Sequence, residues 1–336
     1  MRSGVLAAGN WIRDHVKVVD GWPAQEGLAN IVGQHDGNGG GPYNVLKDLA
    51  RLGAPFPLEA AGIVGDDPDG RAILAECAAL GIDAAQLRTD AAAPTSYTDV
   101  MTVSGTGRRT FFHNRGANAL LSPEHVDFGR TTARYFYLGY LLLLDRLDEP
   151  GPDGIPRACE VLRRARAAGI ETVLDCVSAA SERFRTSVAP VLAEVDTLFV
   201  NDYEAEQLTG MSLGRGEGLD RGAVESAARD LIARGVRARA VLHFPEGACA
   251  CDRGGAVTWQ AAVSVPRGRI ASTVGAGDAL AAGVLYGLHA GWALGGALEL
   301  GVCAAAASLT HPTCSEGVLA AADCLGLGRS LGFRRT

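Results

Sequence analysis

Lysine is nearly absent from this 336-residue chain: of its 31 Lys and Arg residues, only Lys17 and Lys47 are lysines. No Gly-Lys pair occurs, which excludes a Walker A phosphate loop. The eight cysteines include no C-x-x-C pair, which argues against zinc ribbons and thioredoxin-like redox chemistry. Scattered thiols of this kind read as buried residues in a reducing cytosol. Positive charge is in deficit, 31 against 38 Asp and Glu for a net charge of −7. The concentrated basic field that nucleic acid or an anionic membrane would require is missing. Long apolar runs are missing too: the longest, 135–144, is half a membrane span and reads as a buried parallel strand. Arg13 and Asp14 come too early for the apolar core of a signal peptide. The expectation is a cytoplasmic protein with neither nucleic-acid nor membrane partners.

What is present is 47% apolar residues, enough for a large core. Short apolar segments at 5–8, 58–64, 135–140, 172–174, 197–200 and 238–243 read as strands. Helical patterns lie between them at 42–52, 71–80 and 219–234, and two helices rich in small residues follow at 277–288 and 294–309. Such alternation implies a mostly parallel sheet covered on both faces. Two segments break the pattern. Residues 16–34 and 96–114 read as strand pairs without an intervening helix, the second a hairpin turning at Ser104-Gly105-Thr106-Gly107. Inserted in an α/β domain, they form a candidate lid. No linker or repeat divides the chain, so residues 1–336 are read as one domain, with a lid from about 11–36 and 95–115.

Three stretches carry the chemistry. In Ser272-Thr273-Val274-Gly275-Ala276-Gly277-Asp278, a glycine-bracketed turn opens onto an apolar helix. Free N–H groups and the helix dipole favour an anion there. Asp278 is either a first-turn carboxylate or a general base beside that anion hole. Asn201 and Glu204 follow a strand end and lie three residues apart. They suit either a capping box or a magnesium water shell. The run from Asp36 through Gly39, Gly40 and Gly41 to Asn44 fits no dinucleotide fingerprint. It is either a plain loop or a place where a polyhydroxyl ligand meets backbone amides, with Asn44 and Asp14 able to take paired hydroxyls. Trp11 and Tyr43, beside these residues, are candidates to stack on a sugar face or a base. Asp99 is either a substrate-selecting carboxylate on the underside of the lid or an edge-strand gatekeeper.

Together these stretches resemble the ribokinase-like (PfkB) carbohydrate kinase family over nearly the whole chain. Val274-Gly275-Ala276-Gly277-Asp278 looks like its C-terminal signature, Gly39-Gly40 with Asn44 its N-terminal one, and Asn201 with Glu204 its magnesium motif. Gly65-Asp66-Asp67 and Arg115-Gly116-Ala117-Asn118 fall where the family has such residues. The resemblance implies a central sheet flanked by helices and a β-sheet lid that often dimerises. It implies ATP, Mg²⁺ and a sugar-like alcohol or nucleoside as ligands. By the same resemblance Asp278 is the catalytic base, and Gly275, Ala276 and Gly277 are its anion hole. Asp14, Gly39, Gly40 and Asn44 are substrate contacts, and Asn201, Glu204, Gly247 and Thr273 face the nucleotide. Asn201 and Glu204 organise magnesium through water. Two departures stand out. Ser272 replaces an aspartate that helps a monovalent-cation site, so such a site does not carry over. Phe244 stands where a glycine usually lies near the nucleotide. Those departures motivate a rival reading, a sensor of the same fold that binds sugar or nucleotide without transfer.

Overall fold

A computed structural model describes residues 2–178 and 182–334 of the chain. Two sheets organise them. The larger has nine strands: β1 (Val5–Gly9), β4 (Leu58–Gly65), β5 (Asp83–Asp90), β8 (Tyr135–Leu141), β9 (Glu171–Cys176), β10 (Thr197–Asn201), β11 (Arg239–Phe244), β12 (Gly247–Asp252) and β13 (Val257–Ala261). Their order is β13-β12-β11-β10-β9-β8-β1-β4-β5. All neighbours run parallel except the β11-β12 and β12-β13 pairs at one edge. The smaller sheet, β3-β2-β6-β7, consists of β2 (Ile12–Val19), β3 (Ile31–Gly39), β6 (Ser96–Val103) and β7 (Arg109–Asn114). It leaves the body after β1 and again after β5, where the lid was expected, and β2 begins at Ile12 rather than 16.

The helices are α1 (Gly41–Arg51), α2 (Pro68–Ala79), α3 (Asp145–Asp148), α4 (Ala158–Ala167), α5 (Asp202–Thr209), α6 (Arg221–Ala233), α7 (Ala276–His289), α8 (Leu294–Ser308) and α9 (Ala321–Leu331). Strand pleat sorts the core into two layers. Val5 and Ala7 face a cluster built with α1, α7 and α8, while Leu6 and Ala8 face one built with α4, α5 and α6. Side-chain caps correct two expected helix starts. Asp67 accepts from the Gly70 amide at 2.8 Å, so α2 begins at Pro68 rather than 71. Asp220 accepts from the Ala223 amide at 3.1 Å and starts α6 at Arg221. Strand β5, edge strand β13 and helix α9 carry patterns too weak or mixed to be read from sequence. Cys249 and Cys251 lie fully buried in β12, and all eight cysteines are unpaired.

Helices α7 and α8 touch through small residues. A Cβ on Gly283 would lie 2.8 Å from the Gly301 Cα, and one on Gly301 would lie 2.8 Å from a Val284 methyl. This close approach fixes α7, and with it the turn that precedes it. Gly301→Leu should therefore overpack the interface and cost about 1–3 kcal/mol, lowering Tm by several degrees. Gly296→Ala, where a Cβ meets nothing within 4 Å, should be neutral or stabilising. Equal melting temperatures for the two variants would contradict this packing.

Candidate active site

The carboxyl ends of adjacent parallel strands form a row of polar side chains, as open α/β sheets arrange their ligand sites. Asn10 follows β1, Tyr140 sits near the end of β8, Asp175 on β9, Asn201 at the end of β10 and His243 on β11. Opposite them stands the first turn of α7. Gly275 caps that helix at φ +80°, and a Cβ there would meet the Cys314 backbone at 2.7 Å. Only glycine fits that position, which leaves the amides of the turn open to a ligand. A Cβ on Gly277 would come 3.0 Å from the His243 ring.

Asp278 is buried in that turn and clamped from two sides. Tyr140 donates its hydroxyl to Oδ1 at 2.5 Å, and Asn44 donates its amide to Oδ2 at 2.8 Å. Behind Asn44, Asn38 donates to its Oδ1 at 2.7 Å and to Ser315 at 2.9 Å, and Lys47 donates to Asn38 at 3.2 Å. Burial lifts the Asp278 carboxyl to about 6, with the Tyr140 and Asn44 hydrogen bonds pulling the other way. Two further acids share this environment. Burial pushes Glu204 up to about 7, against its bonds from the Asn201 amide and Ser178. Asp175 is driven well above the ordinary carboxylate range by burial and by the charges of Asp278 and Glu204.

Asn201 and Glu204 make a complete capping box. Asn201 accepts from the Glu204 amide at 2.9 Å, and Glu204 accepts from the Asn201 amide at 3.0 Å. Glu204 also accepts from Ser178 at 2.9 Å, yet both Asn201 and Glu204 line the cleft. That cleft is about 680 Å³ and includes Thr273, Gly275, Ala276, Gly277, Asp278 and Gly247. One wall is apolar, formed by Val263, Val265, Ile270, Leu280, Val302 and Ala306. Burial lowers His243 to about 4, so this lining imidazole is neutral. Phe244 leans on Trp259 with ring centroids 5.7 Å apart and borders the same cleft.

A second, narrow crevice of about 10 Å³ lies under the lid, and Val274 belongs to both spaces. Asp14 lines it beside Gly37 and Asn38. A Cβ on Gly39 would strike the Asp14 carboxyl at 2.5 Å. Burial raises Asp14 to about 7, opposed by Thr98, His15 and Arg109. Gly40, at φ +88°, begins α1 with its backbone against the Asn10 carbonyl, where a Cβ would lie 2.2 Å away. Asp14, Gly39, Gly40 and Asn44 therefore gather at one end of the site, and the α7 turn with Asn201, Glu204 and Gly247 at the other.

Other sequence candidates fall elsewhere. Trp11 and Tyr43 do not present rings to a ligand. Both are fully buried, 5.4 Å apart, with the Trp11 indole donating to the Ala61 carbonyl and the Tyr43 hydroxyl to Glu76. Asp99 does not face the body: it pairs with Lys17 on the outer side of the lid. Asp67 and the 115–118 run brace structure. Arg115 pairs with Asp145 at 2.8 Å, and Asn118 bonds both backbone groups of Trp11 at the root of the lid. Tyr140 and His243 escaped the sequence reading. Their one signal was a polar ring at the carboxyl end of a buried strand.

In sequence and fold the chain is similar to known proteins. A profile of the pfkB family carbohydrate kinases covers residues 3–321. A 5-dehydro-2-deoxygluconokinase of Shouchella clausii is 25% identical over 287 residues, 83% of this chain and 82% of that enzyme. Among solved structures, an Arabidopsis thaliana ribokinase complexed with ribose and ATP superposes with TM-score 0.78 at 20% identity, covering 99% of this chain and 100% of that one. A Giardia lamblia ribokinase gives TM-score 0.78 at 20% identity over 95% and 98% of the two chains. No helix among the described residues is long and apolar enough to cross a membrane. A family profile spanning nearly the whole sequence, on a chain that folds as ribokinases do, makes this protein a member of the pfkB family of carbohydrate kinases, a sugar phosphotransferase.

Proposed function

We propose that this sugar kinase transfers the γ-phosphoryl group of ATP to a hydroxyl of a sugar or sugar-like alcohol, with Asp278 as general base. The observation that carries the reading is Asp278 itself. It is a buried carboxyl lifted to about 6, in the first turn of a helix, lining the apolar-walled cleft and held by Asn44 from the acceptor side. The cleft suits a purine along its Val263–Val302 wall and phosphates at the 275–277 amides, beside Thr273 and Gly247. The Arabidopsis ribokinase, complexed with ATP and ribose, supports both ligands. Asp14, Gly39, Gly40 and Asn44 take the acceptor's hydroxyls. Asp278 then accepts the proton of the attacking hydroxyl as oxygen approaches phosphorus. The α7 amides and dipole stabilise the charge on the group in flight. The lid excludes water from the transfer.

A magnesium ion fits the donor set. Asp175, Glu204 and Asp278 are buried acids; the Asp278 charge raises both Glu204 and Asp175, the Glu204 charge raises Asp175 further, and a divalent cation would relieve that repulsion. Asn201 and Glu204 would hold it through water, since no three metal-ligating side chains cluster among the described residues. Bound there, it would neutralise the phosphates. The same base and organiser together disfavour a silent sensor, which needs neither. Eight unpaired, buried thiols suit a reducing, cytoplasmic setting.

A coupled ATPase assay over a panel of sugars and nucleosides, with and without Mg²⁺, tests the reading. Asp278→Asn should lose on the order of 10²–10⁴ in kcat. Its amide can donate to Tyr140 and accept from Asn44, so stability should shift by no more than about 1 kcal/mol. Glu204→Gln keeps the capping box and should raise the Mg²⁺ requirement. Wild-type turnover by Asp278→Asn would remove it as base. Failure of the wild type to consume ATP with any alcohol would leave the sensor.

The lid carries exposed apolar side chains, Trp22, Leu28, Ile31, Val32 and Phe112, with Trp22 stacked on Phe112 at 6.5 Å. Isologous pairing covers such a face. The proposed homodimer should sediment at twice 34.8 kDa at tens of micromolar. Phe112→Glu should return it to a monomer, and a monomeric wild type would refute the pairing.

A further inference from the structure

The face that the lid turns toward the body carries a guanidinium with no acidic partner. Register places Asp14 opposite Thr98 and His113, Val16 opposite Val100 and Phe111, and Val18 opposite Thr102 and Arg109. Strand alternation puts Asp14, Val16, Phe111 and Arg109 on one face, and all four line the crevice under the lid with Val274, Thr313 and Cys314. Arg109 is the one Lys or Arg side chain lining it. It is half-buried and donates Nη1 to the Ser272 hydroxyl at 2.8 Å. Ser272 also accepts from the Val274 amide at 3.1 Å. Among the described residues no carboxylate stands within ion-pair distance of Arg109. Of the other basic residues of the lid, Lys17 pairs with Asp99, Arg13 and His15 with Asp36, and Arg115 with Asp145, while Arg108 sits exposed in the hairpin turn, outside the crevice.

A guanidinium drawn partly out of water with a neutral hydroxyl for company is costly unless a ligand completes it. Among the described residues its Nε–Nη2 edge, the fork that matches a carboxylate through two parallel N–H···O bonds, makes no hydrogen bond. Register sets Asp14 near the root of β2, against Gly39 just before the helix that carries Asn44, and Arg109 farther out along the lid, at the level of Val18 and Thr102. The order along the site is thus Asp278 with Asn44, then Asp14, then Arg109.

We infer that the acceptor is a sugar acid, its hydroxyls held by Asp14 and Asn44 and its carboxylate, at the end away from the phosphorylated hydroxyl, held by Arg109. The inference rests on the kinase reading above for which hydroxyl reacts, but the binding itself does not. A lone planar guanidinium favours a carboxylate over a phosphate ester, whose three oxygens call for further donors. Ser272 is part of the device. A carboxylate in its place would pair with Arg109 and quench it.

Titration calorimetry on the full chain, without nucleotide, tests this with five- and six-carbon aldonates and uronates against the matching aldoses and aldose phosphates. A sugar acid should bind at least about tenfold tighter than its neutral counterpart. Arg109→Met should weaken the acid by about 10–100-fold while the neutral sugar changes little, and Ser272→Asp should do the same with Arg109 intact. An unchanged Tm shows that both variants fold. Equal binding of neutral and acidic sugars, or equal losses for both in Arg109→Met, overturns the inference and leaves the kinase reading standing. Preference for aldose phosphates overturns the carboxylate in favour of an ester. If Arg109→Met lowers kcat and leaves sugar-acid affinity unchanged, the side chain serves the phosphoryl group and the inference fails. Arg109-dependent binding of a sugar acid by a protein that never consumes ATP would sink the kinase reading instead.

Discussion

Asp278 is held between a tyrosine from the central sheet and an asparagine from α1, and the rest of the site depends on that clamp. A carboxyl at the start of a helix would ordinarily sit in solvent and ionise freely. Here burial lifts it to about 6, and two donors keep enough of it ionised to accept a proton near neutral pH. The clamp also joins the two halves of the site. Asn44 passes its hold through Asn38 to Lys47 and Ser315, behind the acceptor residues. Tyr140 belongs to the row of strand ends that runs on to Glu204.

The fold serves this contact by close approach of backbones. The α7 turn can press against Cys314 because position 275 is glycine, and α1 can start against Asn10 because position 40 is glycine. Small residues then lock α7 onto α8. The same crowding brings Asp175, Glu204 and Asp278 within reach of one another's fields. Unfavourable in isolation, the cluster would become useful with the proposed cation and phosphates in the same space. The lid covers the other side with Asp14, Phe111 and Arg109 on its inner face, while Phe112, exposed and stacked on Trp22, stands on its outer face.

What could be read from the chain beforehand is what lies close along it. The turn and helix at 273–280, the Asn201–Glu204 pair and the glycine run before Asn44 are short segments whose residue types already imply a helix start and an open backbone. The alternation of strands and helices gave the sheet, and the 104–107 turn gave the lid hairpin. What stayed hidden depends on register. Tyr140 and His243 reach the site only because β8 and β11 end at one level of a parallel sheet. Arg109 faces the crevice only because β7 pairs with β6 with Thr102 opposite it. Trp11 and Tyr43 misled for the converse reason: an aromatic ring next to a motif is as easily core as contact, and only burial decides. Asp99 misled through strand parity, which turned it outward to Lys17.

The central claim is that the ionisation of Asp278, tuned by its clamp, governs transfer. The most direct measurement is the pH profile of kcat/KM for the wild type and for Tyr140→Phe at saturating Mg²⁺, because that ratio reports the free enzyme's groups. A general base works as a carboxylate, so on the proposed mechanism activity should fall on the acid side. The Tyr140 hydroxyl favours the carboxylate, so removing it raises the Asp278 pKa and should move the acid limb to higher pH by about one unit. An acid limb that stays in place when Tyr140 loses its hydroxyl would contradict the account.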